Sequence, residues 1–272
     1  ADLRTLETIY LPFKPKRRTR ATIAREQGLQ PLADLLVKQE RLSRSKANTL
    51  QAYVDEKRGV PDPETALRGA LDIVAEQWSE NAGLRAQMFE QAQSYGYVAS
   101  KLKRGKTDEQ NKFELYLDHQ EPVRKIPSHR LLAMLRGEAE DLLRVSLDLD
   151  TSHVVASFKR TLVHNSQFEF HAELNATVED CVDRLLLPAT ESAILQSLKE
   201  RADEEAIAVF GKNLHELLMA PPAGPRVTIG IDPGFRTGCK VAVIDGTGKY
   251  LENATIYPTP PKNDTSAAGQ TL

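Results

Sequence analysis

The segment Pro221-Pro222-Ala223-Gly224-Pro225 can continue neither a helix nor a central strand, because three of its five residues lack a backbone N–H and hold φ near −65°. A stiff linker is expected there, and it separates two different patterns. Ahead of it, apolar residues recur mostly at helical spacing. Behind it lie three strand-like runs, Val227 to Ile231, Lys240 to Ile244 and Tyr250 to Tyr257. Asp245-Gly246-Thr247-Gly248 is a hairpin signal between the second and third. The chain is thus read as two parts, 1–220 and 226–272, which suits a length of 272 residues. The second part is too short to bury much surface alone.

Within the first part, Leu3, Leu6, Ile9 and Tyr10 start at helical spacing with no capping residue in front, so an upstream segment is expected. Pro12 and Pro15 stop that helix. A short helix from about Thr22 ends at Gly28, which suits the left-handed position after a helix, and another starts near Pro31. Asp62-Pro63 reads as an N-cap followed by proline in the first turn, with Leu67, Ala70, Leu71, Val74 and Trp78 as the apolar stripe behind it. Leu84, Met88, Phe89 and Tyr95 trace a further helix to Gly96. Ser128 is expected to cap the helix of Leu131, Leu132 and Leu135. Leu143, Val145, Leu147 and Leu149 then alternate with polar residues as in a half-buried strand. Strand character is expected again around Phe168 to Phe170, with His153 to Phe158 a further candidate. Leu185 to Pro188 closes one helix, and Thr190 caps a long one to about Met219. The fold class expected is mainly α with minor β, multi-helical at first with a helix-turn-helix-like module.

No apolar run approaches the roughly 18–20 residues of a spanning helix, and the opening residues do not form a secretory signal. A cytoplasmic setting and no membrane partner are the expectation. Cys181 and Cys239 have no second ligand at metal spacing, so buried reduced thiols are expected and neither a metal nor a cofactor is implied. The formal net charge of −2 says little, but its distribution says more. Lys14, Lys16, Arg17, Arg18, Arg20 and Arg25 precede any acid until Glu26, a density able to neutralise several phosphates. Lys101, Lys103, Arg104 and Lys106 form a second cluster. Against a nucleic-acid contact stands the alternative that such cations brace neighbouring helices, and neither cluster contains interleaved aromatics for base stacking. His129 and Arg130 at a helix start suit phosphate, yet capping by Ser128 and packing of His129 on the first turn explain the pair as well.

Three stretches carry a family resemblance. Tyr10 to Arg25 (YLPFKPKRRTRATIAR), Arg124 to Arg130 (RKIPSHR) with Arg136-Gly137-Glu138, and Ile231 to Gly238 (IDPGFRTG) resemble, in order, hallmarks of the Tex family of bacterial transcription accessory proteins. The resemblance implies that residues after 226 open the family's RNase H-like YqgF domain, with its first strands here and a helix beginning over 263–272. It also implies further segments elsewhere in a complete family member, namely an earlier helical segment, the rest of the YqgF domain, helix-hairpin-helix elements and an S1 domain. Nucleic acid, RNA or DNA, and the transcription machinery are the partners it implies.

Asp232 is the one catalytic candidate that follows from this resemblance, since RNase H-like nucleases place a carboxylate on the first strand to hold a divalent metal. Two-metal hydrolysis needs several converging carboxylates, and the family fold draws the others from later elements. Read from its neighbours alone, Asp232-Pro233-Gly234 is a turn. The expectation is therefore a nucleic-acid-binding scaffold and not an enzyme, with a metal-dependent nuclease or a pure protein-interaction scaffold as the alternatives.

Overall fold

The computed structural model describes residues 18–108, 112–221, 224–234 and 237–272. The opening helical pattern at Leu3 to Tyr10 lies outside them. Contacts divide the chain into two compact units, residues 1–209 and 210–272.

The first unit runs α1 (Arg20–Glu26), α2 (Gln30–Lys38), α3 (Lys46–Gln51), α4 (Pro63–Ser79), α5 (Ala82–Tyr95), β1 (Tyr97–Leu102), β2 (Asp118–Pro122), α6 (Ser128–Ala139), β3 (Leu143–Asp148), α7 (Ser152–Leu162), α8 (His171–Asp180), a π-helical segment (Cys181–Leu186) and, as far as residue 209, α9 (Leu187–Leu218). Helix α4 starts as its sequence dictates. The Asp62 carboxylate accepts the Thr65 N–H at 2.7 Å, and the bonds from Thr65 hold its carboxyl below the usual carboxylate range. Behind that cap, Ala66, Ala70, Ile73 and Val74 are fully buried, and Ala21 and Ala24 of α1 belong to the same cluster. Phe158, Phe170, Leu174 and Val178 complete this core, where each such side chain contributes about 1.5–3 kcal/mol. Gln39 joins it to α7: its side chain donates to Leu162 O at 2.7 Å and accepts from His164 N and Asn165 N at 3.0 and 3.2 Å.

Three strands pair antiparallel in the order β2-β1-β3. One face of that sheet is apolar. Val98, Val145 and Leu147 share a second core with Leu131 and Met134 of α6 and Ile194, Leu198 and Ala202 of α9. Two glycines permit the close approach. A Cβ on Gly137 would lie 2.5 Å from the Leu143 side chain, and one on Gly96, where α5 passes into β1, 2.4 Å from the Ala92 carbonyl oxygen.

Several local expectations change. Residues 153–158 are helical in α7, because Val154 and Phe158 at i and i+4 bury one face. Phe168 and Phe170 are buried in a turn and not a strand, their rings 5.6 Å apart. Pro188 ends nothing, since the helix runs through it into α9 and Thr190 is buried inside that helix. The π segment accommodates the proline: the Leu187 N–H bonds to Val182 O, five residues back, and the widened turn makes room for a ring that clashes in a regular helix. Ser128 is the first residue of α6 and not its cap. Its hydroxyl donates to the Glu205 carboxylate, leaving Pro127 at the N-cap with no side chain able to accept. His129 is exposed. Both cysteines are buried and unpaired, and burial pushes the Cys181 thiol up to about 12.

The second unit holds β4 (Thr228–Asp232), β5 (Cys239–Ile244), β6 (Tyr250–Ile256) and α10 (Thr265–Thr271), with antiparallel order β4-β5-β6. All three strands fall where the sequence places them, and the terminal helix falls within the stretch that the family resemblance implies. The hairpin closes on Asp245, whose carboxylate accepts Thr247 N at 2.8 Å and Lys249 N at 3.0 Å, while Gly248 takes φ +82°, a value that favours glycine. Its core is small: Cys239, Val241, Ile256 and Ala268.

Candidate nucleic-acid interface

Of the first basic cluster, Lys14, Lys16 and Arg17 lie outside the described residues. Arg18 is exposed beside α1 and pairs with Glu26 at 3.0 Å. Arg20 opens α1 and lines a cleft of about 330 Å³ with Arg68, Asp72, Glu173 and Asp180. There burial raises the Asp72 carboxyl above its usual range against the pull of Arg184 and Arg20. Arg25 is turned inward. It lies on the helix side of Ala21 and Ala24, one third exposed at 33%, and its guanidinium meets Glu76, 10% exposed, at 2.5 Å. A second bond runs from its Nε to Gln30 at 3.1 Å. Arg25 therefore ties α1 to α4 and the start of α2.

The second cluster splits in two. After β1 the chain turns at Gly105, with φ +79°, and Lys106 N bonds back to Lys103 O at 3.1 Å. This brings both ammonium groups onto Asp141, at 2.8 Å from Lys103 and 2.7 Å from Lys106. Their hydrogen bonds and charges hold the Asp141 carboxyl down at about 2. Lys101 and Arg104 are exposed, and neither makes an ion pair among the described residues.

The structure adds cations that the sequence reading did not single out as contacts. Arg144 on β3 stands directly across from Lys101 and is exposed. Arg124 and Lys125 lie between Val123 and Ile126, which are 2% and 3% exposed. Those two anchors fix the turn leaving β2, where Lys125 N and Ile126 N both bond to Pro122 O. Arg124 and Lys125 are thereby held outward in solvent. The available signal was two adjacent cations flanked by apolar residues. Arg130 is engaged by Glu121, whereas Arg124, Lys125, His129 and Arg144 have no ion pair or side-chain hydrogen bond among the described residues.

In the second unit Asp232 ends β4 on its exposed length, paired in register with Lys240. Among the described residues no group of three or more His, Cys, Asp or Glu converges there or elsewhere. Among them, too, no helix is long and apolar enough to cross a membrane.

Comparison with known proteins gives the family of the chain. The family model described as Tex central region-like matches residues 43–210, and that of the Tex protein YqgF-like domain matches residues 226–272. The chain is 43% identical to protein tex of Bordetella pertussis, over 98% of this chain and 35% of that protein. It is 40% identical to the uncharacterized protein YdcI of Bacillus subtilis, over 98% of this chain and 37% of the relative. To the transcriptional accessory protein Tex of Neisseria gonorrhoeae it is 40% identical, over 94% of this chain and 34% of the relative. The chain thus spans about a third of the length of these relatives.

Proposed function

Given that the chain belongs to the Tex family, we propose that it is a nucleic-acid-binding, non-catalytic part of a transcription accessory factor. One observation carries this reading. Elsewhere in the first unit many cations are matched by acids, as in Arg25–Glu76, Lys159–Glu179 and Arg184–Asp180. Along the small sheet and the turn leaving it, Lys101, Arg104, Arg144, Arg124 and Lys125 are exposed and make no ion pair among the described residues. Unmatched cations on a strand rim attract polyphosphate and release its counterions. The relative named transcriptional accessory protein supports the setting, and in it the chain serves as a scaffold meeting the transcription machinery while nucleic acid is held.

The test is a binding titration of the 272-residue chain with labelled RNA and DNA at several salt concentrations. With about three to five phosphates engaged, log affinity should fall with log salt at a slope of about −2 to −3.5 on single strands. Absence of binding at low salt would sink the reading. In the same tubes Mg²⁺ or Mn²⁺ should produce no cleavage, and cleavage abolished by Asp232→Asn would make the chain a nuclease.

A further inference from the structure

We infer that the open face of the β2-β1-β3 sheet is a platform for a single-stranded polynucleotide, with Tyr97 stacking a base while Lys101 and Arg144 hold phosphate. This rests on the nucleic-acid reading above and names its site and ligand class.

Side chains alternate across a sheet, so the pairing register sorts the strands into two faces. Val98, Ser100 and Leu102 of β1, opposite Leu147, Val145 and Leu143, face inward. The outward face carries Tyr97, Ala99 and Lys101 on β1 and, rung by rung, Asp148, Ser146 and Arg144 on β3 and Pro122, Gln120 and Asp118 on β2. Tyr97 is 43% exposed on this face, and Tyr95, two residues before it at the end of α5, is 69% exposed. Neither ring has an aromatic or hydrogen-bonding partner among the described residues. The sheet thus supplies what the sequence lacks locally, since it sets an exposed aromatic ring on the same strand face as the unmatched cations.

Charge orders the two ends. Lys101 and Arg144 are direct cross-strand neighbours, and like charges so placed repel. Asp118 on the far side of Lys101 offsets one of the two, so the rung retains a positive charge for a phosphate to neutralise. At the Tyr97 rung the charged group is Asp148, held by Gln120 at 2.8 Å, which disfavours phosphate and leaves the ring to a base. The two rungs are four residues apart, about 13 Å along the strand. Base stacking on an open sheet requires an unpaired base. A duplex would reach the cations and leave Tyr97 idle.

The experiment titrates the 272-residue chain by fluorescence anisotropy with labelled oligo(U), oligo(dT) and a mixed-sequence duplex. Tyr97→Ala, Tyr97→Phe and Lys101→Ala with Arg144→Ala are compared with the parent, each checked by thermal melting. Tyr97→Ala should weaken single-strand binding about 5- to 100-fold and leave duplex binding and melting unchanged, while Tyr97→Phe restores it. The double substitution should flatten the single-strand salt slope by about 0.7, for the one phosphate that the rung neutralises. Ultraviolet cross-linking should place nucleotide mass on the peptide holding Tyr97. Tighter binding of oligo(U) or of oligo(dT) supports the platform and identifies its ligand as RNA or DNA. If single strands bind the parent and all variants alike, the sheet is not the site, although the chain still binds nucleic acid. If Tyr97→Ala weakens duplex binding equally, the single-strand assignment is wrong. If no polynucleotide binds, both proposals fall together.

Discussion

Replacing Arg25 by alanine separates the two roles open to the first basic cluster. The guanidinium reaches Glu76 at 2.5 Å and Gln30 at 3.1 Å, and Thr19 Oγ1 donates to the other Glu76 oxygen at 2.8 Å. Removing one partner of a buried ion pair costs about 3–5 kcal/mol. Arg25 is one third exposed, however, and the Thr19 bond survives, so solvent screening reduces the loss to about 2 kcal/mol. For a unit of this size that lowers the melting temperature by about 4–8 °C. The assay is calorimetric melting beside the salt-dependent titration with labelled oligonucleotide. Arg25→Ala should shift the melt by that amount and leave affinity and salt slope in place, with Arg25→Lys intermediate because an ammonium group cannot serve both partners. An unshifted melt with the slope reduced by about 0.7 would show Arg25 to be a phosphate contact and refute the bracing argument.

Gln39→Leu should destabilise the first unit by about 2–4 kcal/mol in a denaturant titration, since it strands the Leu162 carbonyl and the His164 and Asn165 N–H groups. Gly137→Ala should destabilise by about 1–3 kcal/mol in the same measurement, because its Cβ meets Leu143 at 2.5 Å. The Asp141 carboxyl should titrate by NMR near 2, well below its ordinary 3.8. A depressed carboxylate contributes above its unfolded pKa and loses that contribution as pH falls, so the Lys103–Asp141–Lys106 clip should persist at pH 4 and open only toward pH 2. A midpoint at the ordinary value would mean that the clip does not form in solution.

How far the sequence reveals the fold depends on whether a local signal competes with a tertiary one. Asp62-Pro63 and Asp245 to Gly248 have their partners within a few residues, and both form as read. The strand Leu143 to Asp148 is legible because one face is buried and the other wet. Its partners are not: β2 reads Asp-His-Gln-Glu-Pro, with no apolar residue before its closing proline, and β1 buries three consecutive residues, which breaks the alternation. β1 exists because β3 and the core beneath supply its pairing, and β2 because β1 in turn supplies its own. For the same reason the basic clusters were legible as charge and illegible as geometry. Nothing near Lys103 or Lys106 in sequence announces Asp141, and nothing near Arg124 announces that Tyr97 lies opposite Pro122 in the sheet.

The π segment sets a constraint of length and not of composition. From Leu174 to Ala202 the helix buries Leu174, Val178, Val182, Leu186, Thr190, Ile194, Leu198 and Ala202, every fourth residue. In a regular α-helix that spacing winds about 40° round the axis at each step. The extra residue held by the π turn takes back about 100°, so Leu174 to Leu186 run nearly straight along the first core. After it the same spacing winds through about 160° and delivers Ile194, Leu198 and Ala202 to the second. The rod is therefore geared. Deleting a single residue between Cys181 and Leu186 would leave an ordinary helix on both sides, yet rotate everything downstream by about 100° and carry those three side chains off the core behind the sheet.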